Sequence, residues 1–482
     1  MRKITIDILS LIMRENNVWY FRSFLFLIVL VSANLMIYAE SLAKKKYPGE
    51  KTYMYRVVLT DKSATPFSLD KPLAFLSQKS VERRLRQNIV LDSTDLPVNP
   101  LYEKKVELCG GKIVSKSKWN NSVVVMTGDT TVVDRIGILP FVKCIRKVWT
   151  SPDSVKIYKQ RPKYHKELVL RDTADVSYHG AAEEQLKMLG GIKLHDNGYK
   201  GRGIVIAVLD AGFLNVDLIP AFRNINIVGY ADFVALSKKS IFEISDHGTQ
   251  VLSTMAISVP KVYVGAAPEA SYWLLRCEDQ QTEQPVEEDY WAAAAEFADS
   301  VGVDVISSSL GFHEYDDPSD NYAYRQQDGQ TALISHTASM LAKKGIVLVN
   351  SCGNEGMGMW KKICFPADAK NILSVGAVTS FRRNAAFSSL GPTADGRIKP
   401  DVMAQGSPTM VVTERGTISS DVGTSFAAPL IAGMVACIWQ RNPEKTAFEI
   451  IDMVKRLGDN YAHPDNVYGY GIPDFSKNTY NK

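Results

Sequence analysis

From Gly201 onward the chain alternates short, continuous apolar runs with stretches rich in helix formers. The runs are Ile204–Leu209, Tyr272–Leu275, Val303–Ile306, Ile346–Val349 and Ile372–Val375. Between them lie Asp289–Val301, with alanine at every position from Ala292 to Ala295, and Gln330–Lys344. Strands that are apolar on both faces and alternate with helices predict a mostly parallel sheet covered on both sides, a three-layer α/β domain. Sites in such a domain fall at the carboxyl ends of the strands. Asp210 closes the first run, Ser309 follows the third and Asn354 comes shortly after the fourth, so the residues with chemistry to offer stand at that edge.

Before Gly201 the signal is weaker. Tyr55–Leu59 and Asn121–Met126 read as strands, and Ser80–Gln87 reads as a charged helix, which together predict a small α+β domain. From Thr150 to about Ser177 the chain turns polar and loses periodicity, as a linker does. Residues Phe24–Ala39 are apolar or uncharged, with Arg14 and Arg22 ahead and Glu40 and Lys44–Lys46 behind. This pattern predicts an export signal ending at Ala39, the apolar stretch being short of the roughly 18 to 20 residues of a membrane span. The expected organisation is a leader at 1–39, a small domain at 40–150, a linker at 151–180 and the main domain at 181–482, with a secreted or periplasmic destination and no stable membrane span.

Composition adds mainly exclusions. The 482 residues are 45% hydrophobic and 22% charged, ordinary globular usage for two or three domains. The net charge of +4 is small, and no Lys/Arg stripe interleaves with aromatics, so nucleic acid is not an expected partner. The six cysteines include no CxxC pair, and the His and acidic residues show no HExxH or EF-hand spacing, so zinc is not expected.

Four strings carry candidate chemistry. Asp210, at the end of a buried strand, needs a partner because an unpaired buried carboxylate costs several kcal/mol. His247, in Asp246-His247-Gly248-Thr249, opens a helix-compatible stretch, and the glycine behind it permits close approach of another backbone or a substrate. Ser425, in Gly423-Thr424-Ser425-Phe426-Ala427-Ala428-Pro429, heads the apolar stretch to Trp439, where free N–H groups and the helix dipole favour negative charge. Asn354, in Ser351-Cys352-Gly353-Asn354-Glu355-Gly356, supplies an uncharged donor between glycines. Taken singly, each also fits a cap, turn or packing role.

The order Asp, His, Ser along the chain is that of the subtilisins, and the chain from about Gln185 to Phe475 resembles the subtilisin-like (subtilase) serine peptidases. Ser308–Gly311, Phe387–Pro392 and Asp395–Val402 add to the resemblance, while Ala211, Ala256-Ile257 and Gln405 depart from the family's usual residues without touching the catalytic group. The resemblance implies a triad of Asp210, His247 and Ser425, with an oxyanion hole made by the Asn354 side chain and the Ser425 N–H. It places Ser309-Leu310-Gly311 and Ser351-Cys352-Gly353 along the pocket for the residue before the cut, with Cys364 near its base. It also implies an N-terminal propeptide, protein or peptide substrates, no cofactor for the chemistry, and structural calcium at no locatable site. Cys352 and Cys364 are expected either to pair or to remain free thiols. The competing readings are a catalytically inactive binding protein on the same fold and a hydrolase of non-peptide acyl groups.

Overall fold

The structure, a computed structural model, describes residues 44–156 and 177–477. The expected leader lies outside the described residues. The chain divides into two compact units, 1–47 with 153–159, and 48–152 with 160–482. In the first, Lys44–Lys46 pairs antiparallel with Ser154–Lys156. The remaining described elements belong to the second.

Its N-terminal part is a four-stranded antiparallel sheet of β1 (Tyr53–Leu59), β2 (Lys112–Ser117), β3 (Ser122–Thr127) and β4 (Val142–Thr150), in the order β2-β3-β1-β4. Three helices accompany it, α1 (Gln78–Arg86), α2 (Pro100–Leu108) and α3 (Thr131–Gly137). Val57, Val123 and Val125 from the sheet bury against Val106, Val132 and Ile136 from α2 and α3. Only two of these strands and α1 follow from the sequence pattern. β2 reads Lys-Ile-Val-Ser-Lys-Ser and β4 is largely half-exposed, so neither carries a continuous apolar signal.

The main part opens with α4 (Glu183–Met188) and α5 (Gly191–Asp196) and then builds a seven-stranded sheet. Its strands are β5 (Val205–Asp210), β6 (Asn226–Asp232), β7 (Ser271–Arg276), β8 (Val305–Ser308), β9 (Val347–Ser351), β10 (Leu373–Thr379) and β11 (Val402–Ser407). The order is β11-β10-β9-β8-β5-β7-β6, and every neighbouring pair is parallel. All five predicted runs are strands of this sheet. β6 and β11 are additions at its two edges. β6 alternates exposed and half-buried residues, as an edge strand does, and β11 contains Gln405 and Gly406.

Helices α6 (His247–Ala256), α7 (Val286–Val301), α8 (Leu333–Met340), α9 (Thr424–Arg441) and α10 (Ala447–Arg456) complete the layers. α9 is buried from Phe426 to Trp439 without interruption, because it lies across the middle of the sheet and contacts β8, β9, β10 and β11. α7 begins with Glu287, Glu288 and Asp289 in its first turn, where the dipole favours acids, and ends at Gly302 with φ +86°.

The acids of α7 reach the N-terminal sheet. The Arg56 guanidinium grips Asp289 with both arms, at 2.7 and 2.6 Å, and its side chain is 7% exposed. Asp299, fully buried, receives Arg83, Arg84 and Lys118. Glu296 accepts the Ser117 hydroxyl and the N–H groups of Lys118 and Trp119. Apolar contact alone would allow sliding, whereas buried ion pairs are satisfied in one register only.

Candidate active site

Asp210 is the last residue of β5 and is fully buried. Its carboxylate accepts the Ala211 N–H at 2.8 Å and faces His247, whose Nδ1 lies 2.9 and 3.0 Å from the two oxygens. The departure at Ala211 therefore costs no backbone bond to the carboxylate. His247 is the first residue of α6, and Gly248 is what lets that helix end meet the strand end. A Cβ at Gly248 would stand 2.3 Å from the Gly212 carbonyl oxygen and 2.9 Å from Asp210 Cγ. The sequence reading of this glycine thus has a steric basis.

Burial works to lower the His247 pKa. The Asp210 carboxylate outweighs it, with Glu278 and Asp246 adding to the pull, and the pKa rises to about 9. Glu278 was not among the predicted residues. It stands two positions beyond β7, whose Arg276 is in register with Asp210, and the intervening Cys277 N–H donates to the Asp210 carbonyl at 3.0 Å. Burial and the Asp210 charge raise its own pKa to about 7, against the opposing influence of His247 and Arg276. Its position past a strand's carboxyl end was the signal that could have found it.

Ser425 is the second residue of α9, and its hydroxyl donates a long bond, 3.4 Å, to the Ser309 carbonyl. The following residue, Phe426, packs its ring against the His247 imidazole with centroids 5.8 Å apart. Pro429 sits four positions after Ser425 and has no N–H to give that residue's carbonyl. The Ser309 hydroxyl takes the vacant place, donating to the Ser425 carbonyl at 2.8 Å. The Ser425 turn is therefore tied to the end of β8 by two reciprocal contacts. In this state the Ser425 hydroxyl is directed at Ser309 rather than at the imidazole; such bonds commonly tighten only once substrate is bound.

Asn354 lies beyond β9 and is exposed. Its carbonyl oxygen accepts both the N–H and the hydroxyl of Thr424, at 3.0 and 2.9 Å. With the oxygen so occupied, the side-chain NH2 is the end left to offer, one residue away from Ser425 along the chain of contacts.

The two predicted wall segments meet at Cys364. A Cβ on Gly311 would come 2.8 Å from the Cys364 Cβ, and one on Gly353 would come 2.6 Å from its Sγ. Ser309, Leu310, Ser351 and Cys352 are all buried. The pairing of Cys352 with Cys364 does not occur, and all six cysteines are free. The reason is geometric. The Cys364 N–H donates to the Cys352 carbonyl at 2.9 Å, but the thiols diverge, Cys352 toward Ser388 and Ser389 and Cys364 toward His313. Burial pushes the Cys352 thiol up to about 12 and the Cys364 thiol well above its ordinary value. His313, Glu355 and Cys364 also bring one ligand-type atom each within 4.8 Å of one another, a cluster that no sequence spacing announced.

Residues 201–471 match the Subtilase family, and residues 54–166 match the Peptidase S8 propeptide domain of Bacteroidota. Subtilisin NAT of Bacillus subtilis subsp. natto and Subtilisin E of Bacillus subtilis (strain 168) are each 31% identical to this chain over 281 residues, 58% of this chain and 65% of theirs. The chain therefore spans only part of those two relatives' length. Subtilisin of Bacillus pumilus is 30% identical over 282 residues, 58% of this chain and 92% of that one. The chain belongs to the subtilase family, with a propeptide domain ahead of the subtilase domain.

Proposed function

We propose that this protein is a serine endopeptidase made as an exported precursor, and that Asp210, His247 and Ser425 are its triad. The observation that carries the reading is the buried Asp210 carboxylate holding His247 by Nδ1 at 2.9 Å, which leaves Nε2 as the nitrogen free to act as base. The Ser425 hydroxyl gives its proton to that nitrogen as its oxygen adds to a peptide carbonyl. The oxyanion is met by the Asn354 NH2 and the Ser425 N–H. Collapse expels the amine, which takes the proton from His247, and leaves an acyl ester on Ser425. Water, deprotonated by the same imidazole, releases the acid and restores the enzyme.

The helix dipole of α9 supports this reading, since the developing charge lies at its N-terminus. The pocket formed by Ser309, Leu310, Gly311, Ser351, Cys352 and Gly353 receives the side chain before the cut. Residues 40–150 serve as the propeptide, 151–180 carry the processing position, and 181–482 form the peptidase. The leader at 1–39 directs export; among the described residues no helix is long and apolar enough to cross a membrane. The buried ion pairs on α7 support a propeptide that stays docked on the peptidase domain until cleavage.

The test compares the purified precursor with its Ser425→Ala variant. The parent should trim itself, digest casein and be labelled by a fluorophosphonate, and the variant should do none of these. Equal trimming by both, or labelling that survives the substitution, would refute the assignment.

A further inference from the structure

We propose that His313, Glu355 and Cys364 form a binding site for a thiophilic divalent cation, zinc above all, inside the pocket for the residue before the cut, and that filling it shuts the pocket. The site itself rests on geometry alone; its inhibitory consequence rests on the peptidase reading above.

The three side chains come from two loops, His313 from the one after β8 and Glu355 and Cys364 from the one between β9 and β10, and their ligand atoms lie within 4.8 Å of one another. In a tetrahedral zinc site with bonds of about 2.0 to 2.3 Å, neighbouring ligand atoms stand about 3.3 to 3.8 Å apart. Cys364 Sγ and His313 Nδ1 are 3.8 Å apart, so that edge already has the spacing an ion would need. Closing the remaining edges asks only for side-chain torsions in Glu355, which is half-exposed.

The arrangement is held from outside. The His313 ring lies against Trp360, centroids 5.0 Å apart and planes 30° apart, which sets the direction of Nδ1. The Glu355 backbone is anchored by its N–H to the Ser389 hydroxyl at 2.9 Å. Gly311 and Gly353 pack so closely on Cys364 that a side chain at either would collide with it, and the thiol faces His313 Nδ1. A thiol, an imidazole and a carboxylate suit zinc, which takes S, N and O donors in four-coordination, and they do not suit calcium or magnesium, which demand oxygen. Three protein ligands leave the fourth position to water.

Burial, and after it the neighbouring Glu355 charge, favour the protonated thiol. Binding therefore forms a sulfur–metal bond and releases the thiol proton to solvent, with no oxidant or reductant involved. An ion here would also pin Glu355, the residue next to Asn354, so that substrate entry and the oxyanion donor are both affected.

The experiment uses the full chain carrying Ser425→Ala, titrated with Zn2+ against a chromogenic chelator. One equivalent should bind. Cys364→Ser, His313→Ala and Glu355→Gln should each weaken binding at least about tenfold. Co2+ should give a thiolate charge-transfer band that Cys364→Ser abolishes. Thermal melts of each variant check that the fold persists, and the near-isosteric Cys364→Ser decides if His313→Ala is unstable. No bound ion, or an ion lost only with His247→Ala, would overturn the site and leave the peptidase reading intact. One bound ion in a chain whose Ser425-containing parent cleaves nothing would uphold the site and sink the peptidase reading.

Discussion

Replacing Arg56 by Met isolates what holds the propeptide domain on the subtilase domain. The guanidinium makes two charge-assisted bonds to Asp289, at 2.7 and 2.6 Å, and a third to the Pro285 carbonyl at 3.2 Å. Both side chains are nearly excluded from water, at 7% and 3% exposure. Burial already strains the Asp289 carboxylate, whose pKa is raised despite the adjacent Arg56. Removing the arginine leaves that charge with no counter-ion, and breaking one side of a buried pair typically costs about 3 to 5 kcal/mol. At about 1.4 kcal/mol per decade, the ratio of docked to undocked domain should fall by roughly two to three and a half orders of magnitude. Removing both charges, in Arg56→Met with Asp289→Leu, should restore most of the loss, since an apolar pair of similar volume needs no compensation. The assay is urea denaturation with hydrogen exchange at the amides of β1 and α7, in the Ser425→Ala chain so that processing does not intervene. A single variant as stable as its parent, or a double variant no better than the single, would refute the reasoning.

Two further outcomes test the active site. Asn354→Ala should lower kcat by about 10² to 10³ with little change in KM, a magnitude that comes from a subtilisin of the same family; unchanged turnover of a peptide ester would remove Asn354 from the oxyanion hole. Because the Asp210 carboxylate raises the His247 pKa to about 9, the free base is scarce at neutrality. The rate kcat/KM should climb about tenfold per pH unit and level off near that value rather than near the unperturbed ~6.5. The same shift implies a stability contribution that is complete below the unfolded value and is lost as pH rises through the folded one. Denaturation midpoints of the Ser425→Ala chain should accordingly decline across that interval. A kinetic limb at or below the ordinary histidine range would contradict both statements.

Much of the subtilase domain could be read from the chain because the evidence there is local. A strand such as Val205–Asp210, buried on both faces, must be apolar at successive positions, so β5 and β9 announce themselves. The strings around Asp210, His247, Asn354 and Ser425 are short because each sits on one turn or helix start. Edge strands are another matter. β6 has a solvent-facing side, and the propeptide strands β2 and β4 are partly exposed, so their patterns dissolve into ordinary polar sequence.

What the chain by itself determined was which segments must be buried, and with them the parallel sheet, its carboxyl edge and the four candidate groups along it. Only the tertiary structure decided which loops meet above that edge. It separated the thiols of Cys352 and Cys364 although their backbones bond, turned Cys364 toward His313 and Glu355, and set Glu278 beside the Asp210–His247 pair. Burial leaves a repeating mark on neighbouring residues, whereas convergence of distant loops depends on crossover paths through space and leaves no period in the sequence to find.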